Sequence, residues 1–254
     1  MTLYESNIKD CVQVQPFKMS CDDVICPKIK HPLPGSKEGW FRMGIIGQSG
    51  SGKSNLVQNL TQRGGKNAVY NKKFTNVFYI SPSVGSMTIK PKLPEDRMYD
   101  SLKNLPDIIE RIQTEEDADG RTLLIMDDIA PELKQGGELA DDIKKIMMNN
   151  RHLGRALLND DGNQIESGAV SSIIVAQKYT SLPRYIRSQI THWCIFPPSS
   201  KQELNSIYED CIHVDRHLFD EMVKRVKKDR YGFLFINALN SKCYNKFNSE
   251  FVYE

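Results

Sequence analysis

The sequence has 254 residues, a length that suits one domain with short appendages. Hydrophobic residues make up 39% and charged residues 26% of it, which permits a packed core and argues against wholesale disorder. The formal net charge is only +2, so any binding of nucleic acid must depend on a local patch or on an assembled ring. We find no apolar run of membrane-spanning length and no secretory signal, and six cysteines without a CxxC pair favour a reducing compartment.

Strands alternate with helices through the middle of the sequence. The apolar runs predict strands at Trp40–Ile46, Asn76–Ser81, Thr122–Met126, Ser171–Ala176, Thr191–Phe196 and Gly232–Asn237. Helical spacing and capping residues predict helices at Lys53–Arg63, Leu105–Thr114, Glu138–Asn150, Ser200–Asp210 and Asp215–Val226. Several strands are apolar on both faces, so the predicted fold is α/β, with a mainly parallel sheet and helices on both faces.

The predicted domain spans residues 40–240. Repeated proline and glycine breaks predict an irregular lead-in over residues 1–39, and residues 241–254 are expected to form a C-terminal tail. Three prolines predict a loop over residues 82–100. Residues 154–170 contain an Asp-Gly dipeptide between semi-apolar flanks, which predicts an inserted hairpin.

A glycine-rich turn separates the first predicted strand from the first predicted helix. It matches G-x-x-x-x-G-K-[ST] at every position, with Gly47, Gln48, Ser49, Gly50, Ser51, Gly52, Lys53 and Ser54. Such a turn points successive backbone N–H groups at phosphate oxygens, and the following helix adds the positive end of its dipole. Lys53 would reach the β and γ phosphates of ATP, and the Ser54 hydroxyl is a hard oxygen ligand for Mg²⁺.

Two carboxylates end the predicted strand at Thr122–Met126. Asp127 is placed to hold Mg²⁺ beside Ser54, because ligands collect at the carboxyl ends of parallel strands. Asp128 is the candidate that orients or deprotonates an attacking water. A P-loop NTPase of the RecA/ASCE-like type accounts for these residues. A nucleotide or nucleoside kinase and a non-hydrolysing, nucleotide-gated adaptor remain as alternatives.

The strand at Ser171–Ala176 ends in Gln177. If this strand lies next to the acidic one, the Gln177 amide can contact both the γ-phosphate and the water, and so report whether the phosphate is present. Three arginines could supply positive charge to a neighbouring subunit's site, and Arg151 is preferred over Arg184 and Arg187.

A basic run lies at the end of the last predicted helix. A solvated helix end and a contact with the DNA backbone are both compatible with it. Its members are Lys224, Arg225, Lys227, Lys228 and Arg230.

The chain resembles the poxvirus-type viral DNA-packaging ATPases of the FtsK/HerA superfamily, which have relatives in giant viruses and virophages. Four segments within about residues 40–200 carry the resemblance: GIIGQSGSGKSNL, LLIMDDIA, NNRHLG and SSIIVAQKYTSLPRYIRSQITHWCIF. The phosphate loop alone is generic. The Asp-Asp ending, the Arg-His-Leu segment and the strand that ends in glutamine are the specific parts.

The resemblance implies an ATP-driven translocase that moves double-stranded viral DNA into a preformed capsid. Its implied partners are DNA, capsid proteins and further copies of the chain in a ring of five or six subunits, without a membrane-spanning segment. The viral factory in the host cytoplasm, and the virion, are the implied locations. By resemblance, Lys53 and Ser54 bind ATP and Mg²⁺, Asp127 binds the metal, Asp128 activates water, Gln177 senses the γ-phosphate and Arg151 is the arginine finger.

Two departures from the family pattern stand out. The stretch 154–170 lies where a short connection is expected, and could be a subunit contact, a channel loop or decoration. No large extra domain is present in the sequence, so we expect docking of DNA or capsid to use the lead-in, the insertion or the tail.

Overall fold

The structure is a computed structural model that describes part of the chain in detail. The described residues are 32–34, 40–61, 69–70, 73–74, 76–87, 90–114, 122–134, 137–154, 156–158, 164–167 and 169–252. Most of the predicted lead-in, the predicted end of the first helix and the turn at Asp161-Gly162 lie outside them.

Eleven strands and six α-helices lie in the described part of the chain. The strands are β1 (Arg42–Ile46), β2 (Asn76–Ile80), β3 (Met98–Tyr99), β4 (Thr122–Asp127), β5 (Ala156–Leu158), β6 (Gln164–Ser167), β7 (Val170–Ala176), β8 (His192–Ile195), β9 (Leu234–Asn237), β10 (Lys242–Asn245) and β11 (Ser249–Glu250). The helices are α1 (Lys53–Thr61), α2 (Leu105–Thr114), α3 (Glu138–Met148), α4 (Arg184–Arg187), α5 (Lys201–Cys211) and α6 (Arg216–Val226).

Nine of these strands form one sheet, in the order β11-β10-β9-β8-β1-β7-β4-β2-β3. The six strands from β8 to β3 run parallel, and β9, β10 and β11 extend one edge in antiparallel fashion. The prediction of a mainly parallel sheet is therefore confirmed. Strand β7 lies between β1 and β4, so the phosphate loop, Asp127 and Gln177 follow three adjacent strands at one edge of the sheet.

The sheet is buried on both faces, because its central strands are apolar at successive positions. One core cluster packs beneath α2, α3, α5 and α6, and includes Ile46, Met126 and Ile174. The second cluster lies beneath α1 on the opposite face, and includes Ile45 and Ile125. Helices therefore cover both faces, as predicted. Within the described ranges, no helix is long and apolar enough to cross a bilayer.

The structure refines several predictions made from the sequence. The predicted loop at 82–100 contains the short parallel strand β3, whose two residues pair with Tyr79 and Ile80. Strands β10 and β11 lie within the predicted tail and complete the sheet. The antiparallel pair β5 and β6 lies within the stretch 154–170 where a hairpin was predicted. Part of the predicted lead-in belongs to the core, because Leu33 is buried and the Tyr70 hydroxyl donates to the Pro34 carbonyl oxygen. The domain boundaries at residues 40 and 240 stay predictions.

Candidate nucleotide-binding and catalytic site

The phosphate loop connects β1 to α1 at the carboxyl edge of the sheet. Gly50 and Gly52 have φ of 76° and 104°, a left-handed conformation that residues with a Cβ atom rarely adopt. Hydrogen bonds from Gly47 N to Ala176 O (3.2 Å) and from Ser51 N to Gln48 O (3.1 Å) hold the curl of the loop. The loop is therefore shaped by its glycines as the motif predicts.

The loop residues offer several groups to a phosphate. Lys53 Nζ donates to the Gln48 carbonyl oxygen over 3.0 Å, which bends the side chain back across the loop. Ser49 and Gly50 line the adjoining cleft. The buried hydroxyl oxygen of Ser51 has no hydrogen-bond partner among the described residues, and an unsatisfied buried hydroxyl is a donor that a phosphate oxygen can accept from. The loop fits a triphosphate on these observations.

Lys53 lies close to the two carboxylates at the end of β4. Burial lowers the pKa of Lys53, while the charges of Asp127 and Asp128 act in the opposite direction and favour the ammonium form. All three residues line one cleft. The structure therefore brings the phosphate loop and the acidic pair together, as the sequence predicted.

Asp127 is the buried member of the acidic pair, with only 5% of its surface exposed. Its Oδ2 accepts a hydrogen bond from the Tyr79 hydroxyl at 2.7 Å and a longer one from Ser54 Oγ at 3.5 Å. Burial raises the pKa of Asp127, as does the charge of Asp128, whereas the Tyr79 hydrogen bond and the Lys53 charge lower it. Tyr79 was missed by the sequence analysis, because only the pairing of β2 with β4 reveals that it faces Asp127.

The Ser54 and Asp127 oxygens fit a magnesium ion. Two adjacent oxygens bound to one octahedral Mg²⁺ at about 2.1 Å lie about 3 Å apart. Ser54 Oγ and Asp127 Oδ2 are 3.5 Å apart, so an approach of about 0.5 Å would bring both to one ion. Both are hard oxygen donors, and a cation there would relieve the cost of keeping the Asp127 carboxylate charged in a buried position.

Asp128 and Gln177 form a pair at the mouth of the cleft. Gln177 Nε2 lies 3.1 Å and 3.3 Å from the two carboxylate oxygens of Asp128, and both residues are exposed. Asp128 has φ of 58°, a left-handed conformation that aspartate tolerates better than most residues. Its N–H donates to the Val175 carbonyl oxygen, which fixes the turn after β4. The carboxylate is thus directed toward β7 and the glutamine.

The cleft beside the phosphate loop has a volume of about 650 Å³, within the usual range for small-molecule sites. Its lining includes the polar side chains of Lys53, Asp127 and Asp128 together with aromatic residues. The aromatic members, which the sequence analysis did not single out, are Phe196, Tyr231 and Phe233.

Arg151 lies near the amino-terminal end of β1, whereas the phosphate loop follows the carboxyl-terminal end of that strand. Its guanidinium carbon is 4.5 Å from the centre of the Trp40 ring, and Arg42 lies against the same ring at 4.7 Å. Trp40 precedes Gly47 by seven residues of mostly extended chain, which span about 20 Å. Arg151 is exposed there. The structure therefore does not bring Arg151 to the phosphate loop of its own chain.

The other two candidate arginines differ in their contacts. Arg187 forms an ion pair with Asp210, and its guanidinium lies 4.8 Å from the centre of the Tyr179 ring. Arg184 begins α4 and is exposed. Arg187 is therefore engaged within its own chain, which makes it a poorer candidate than Arg184 or Arg151 for reaching a neighbour.

The fold and the site together define a P-loop ATPase. Three adjacent parallel strands bring a phosphate loop, a carboxylate pair and a glutamine to one cleft, with β7 between the loop strand and the acidic strand. The chain belongs to the Poxvirus A32 protein family, whose model matches residues 36–237.

Solved structures of viral packaging enzymes share the fold. The genome packaging NTPase B204 from Sulfolobus turreted icosahedral virus 2, in complex with AMPPCP, has a TM-score of 0.56 and 15% identity, over 80% of this chain and 95% of that one. B204, described as the DNA-packaging ATPase from Sulfolobus Turreted Icosahedral Virus, has a TM-score of 0.55 and 16% identity over the same shares. No curated protein matches this chain in a sequence comparison.

Proposed function

We propose that the chain is an ATP-driven motor that moves double-stranded viral DNA into a preformed capsid. One observation carries the ATPase part of the proposal: Lys53, Asp127, Asp128 and Gln177 share a single cleft. Membership of the Poxvirus A32 protein family supports the viral setting. The fold likeness to the packaging ATPase B204 is compatible with the DNA-packaging part.

Each residue of the cleft has its own role in the proposed hydrolysis. Lys53 and the N–H groups of the loop bind the β and γ phosphates, while Ser54 and Asp127 are the ligands for Mg²⁺. Magnesium, when bound, neutralises charge on the phosphates. Asp128 accepts a hydrogen bond from the attacking water and aligns it with the γ-phosphorus. In-line attack then gives ADP and inorganic phosphate.

Gln177 would act as the sensor of the γ-phosphate. Its amide is bonded to Asp128, so a phosphate oxygen that competes for the Nε2 donor changes how the carboxylate is held. Gln177 directly follows β7, which lies between the loop strand β1 and the acidic strand β4. A change in the hydrogen bonds of Gln177 would therefore act on the central strand of the site.

Arg151 would serve the site of a neighbouring subunit. Its exposed guanidinium is held on Trp40 beside the buried Arg42, at the edge of the sheet that a neighbour's phosphate loop could approach. Burial and then the charge of Arg151 lower the pKa of Arg42 to about 10, so the two cations lie close enough to affect each other. A nearby γ-phosphate would relieve this repulsion. This arrangement supports a ring, which we propose to contain five or six subunits.

The proposed contact with DNA uses exposed basic side chains. The basic run covers the last turn of α6 and the residues that follow it, and its members are all exposed. Lys224 pairs with Glu221, and Lys227 donates to the Pro198 carbonyl oxygen. Exposed basic side chains suit the DNA backbone, which needs only positioned positive charge. Capsid proteins are the proposed docking partners, and the viral factory and the virion are the proposed locations.

The ATPase rate of the assembled fraction, with and without double-stranded DNA, tests the proposal. We expect DNA to stimulate hydrolysis, and we expect Asp128→Asn to bind ATP while losing turnover by about 100-fold or more. A nucleoside kinase would instead transfer phosphate to a small acceptor and ignore DNA. An adaptor would bind ATP and be indifferent to Asp128→Asn.

A further inference from the structure

Among the aromatic residues that line the cleft, Tyr231 is unusually exposed. Tyr231 has 49% of its surface accessible, and of the large hydrophobic side chains described as exposed it alone lines the cleft. The others are Met148, Leu239 and Val252. An exposed aromatic ring inside a ligand cleft is a surface that a planar ligand can cover.

Tyr231 lies directly beside the phosphate loop. A Cβ atom built on Gly52 would approach Tyr231 Cδ1 to 3.4 Å, an ordinary van der Waals contact, so the tyrosine ring borders the loop backbone at the residue before Lys53. A ligand that places its phosphates on this loop therefore has its remaining part within reach of the ring.

The turn that presents Tyr231 is firmly built. Tyr231 N donates to Asp229 Oδ1 at 3.1 Å, and the ammonium group of Lys246 forms an ion pair with the same carboxylate. Gly232 is required next to it, because a Cβ atom there would lie 2.0 Å from the Val226 carbonyl oxygen. The ring position is thus set by α6 and by the turn between β10 and β11.

Two further aromatic rings line the cleft with Tyr231. Phe196 and Phe233 line the same cleft, with their ring centres 5.3 Å apart, and Phe233 packs edge-on against Phe247 at 5.0 Å. Arg230 lies 5.2 Å from the centre of the Tyr231 ring. The lining of the cleft therefore includes apolar aromatic surface, which suits the base of a nucleotide.

We propose that the Tyr231 ring is the stacking platform for the purine base of the bound nucleoside triphosphate, an inference that rests on the proposed function. Stacking recognises the face of the base, so Tyr231 would add affinity for the nucleoside without binding the phosphates.

Calorimetric titration of the full chain with ATP and with inorganic triphosphate, both with Mg²⁺, tests this role. We expect Tyr231→Ala to weaken ATP binding by about 10-fold, whereas triphosphate binding changes by less than about twofold. Tyr231→Phe keeps the ring and should retain ATP affinity, but Tyr231→Leu, which keeps bulk without a π face, should lose it. Leu239→Ala, at an exposed apolar residue outside the cleft, is the matched control.

Other outcomes would overturn the proposal. Equal losses for ATP and triphosphate in Tyr231→Ala mean that the residue supports the phosphate loop, and unchanged ATP binding means that the base lies elsewhere. Similar ATP affinities of the Phe and Leu variants would also exclude stacking. Failure of the proposed function is distinguishable, because the unaltered chain would then bind ATP in the same titration yet show no DNA-stimulated hydrolysis.

Discussion

The hydroxyl of Tyr79 donates a hydrogen bond to Asp127 Oδ2 at 2.7 Å, from a strand adjacent to the one that carries the carboxylate. The tyrosine is itself buried, and burial together with the Asp127 charge raises its pKa, so it remains a donor at any ordinary pH. The oxygen that Tyr79 holds, Oδ2, is the one that lies 3.5 Å from Ser54 Oγ. This geometry makes Tyr79 a positioning residue for the proposed magnesium ligand.

Tyr79→Phe should therefore raise the Mg²⁺ concentration that gives half-maximal ATPase activity by about 10-fold, because support of a metal ligand is lost while the apolar ring remains. The measurement is a Mg²⁺ titration at saturating ATP. Tyr208→Phe is the control, since Tyr208 donates to the Val214 carbonyl oxygen away from the cleft. An unchanged Mg²⁺ requirement in Tyr79→Phe would contradict the assignment.

The contact between Gln177 and Asp128 predicts that their substitutions are not additive. Gln177→Ala should lower the ATPase rate by about 10-fold without weakening ATP binding. In an Asp128→Asn background the same change should have little further effect, because the group it orients has already been lost. A double-mutant cycle on single-turnover rates measures this coupling, and fully additive effects would show that the two residues act independently.

Gly44 lies at the centre of β1, where the structure leaves no room for a side chain. A Cβ atom there would lie 2.2 Å from Trp193 Cζ3, and the indole is itself buried. Gly44→Ala should lower the free energy of unfolding by about 3 kcal/mol or more, because the tryptophan cannot move without disturbing the core. Gly85→Ala is the matched control, since nothing lies within 4 Å of its added methyl group, and urea denaturation compares the two.

His192 predicts an acid-dependent loss of stability. It is fully buried beside Phe235, its Nε2 has no partner among the described residues, and burial lowers its pKa to about 3. The unfolded chain binds a proton at this histidine near pH 6.5, and the folded chain does not. The free energy of unfolding therefore keeps its full value above pH 6.5 and decreases as the pH falls toward 3. Between pH 7 and 5 the loss is about 2 kcal/mol.

His192→Phe should flatten the dependence of unfolding free energy on pH over this interval, as measured by urea denaturation at each pH. His152→Asn, at an exposed histidine, serves as the control and should keep the wild-type slope. Equal slopes for wild type and His192→Phe would mean that His192 is not the group responsible.

The position of Arg151 predicts complementation between two inactive variants. Arg151→Ala and Lys53→Ala should each abolish the ATPase activity of an assembled ring, the first by removing the finger and the second by removing the phosphate-binding lysine. Mixed rings should regain activity, because some interfaces combine an intact Lys53 with an intact Arg151 from the neighbour. No recovery on mixing, with co-assembly verified, would argue that the finger acts elsewhere.

The phosphate loop, the acidic pair and most of the strands could be predicted from the sequence, because they depend on local properties. Glycines at fixed spacing specify the curl of the loop, and runs of apolar residues specify strands that are buried on both faces. The hairpin pair β5 and β6 was also predictable from local turn chemistry. In contrast, β3 is a two-residue strand at the edge of the sheet, and its pairing depends on β2, which lies about 20 residues earlier in the sequence.

The sequence by itself determined which groups could bind phosphate and magnesium, since residue type and spacing define that chemistry. Only the tertiary structure decided which groups meet. It paired Tyr79 with Asp127, brought Tyr231 from the far end of the chain to the loop, and separated Arg151 from the cleft of its own subunit. The physical reason is that strand order and register, set by packing over the whole sheet, fix distances that no local pattern encodes.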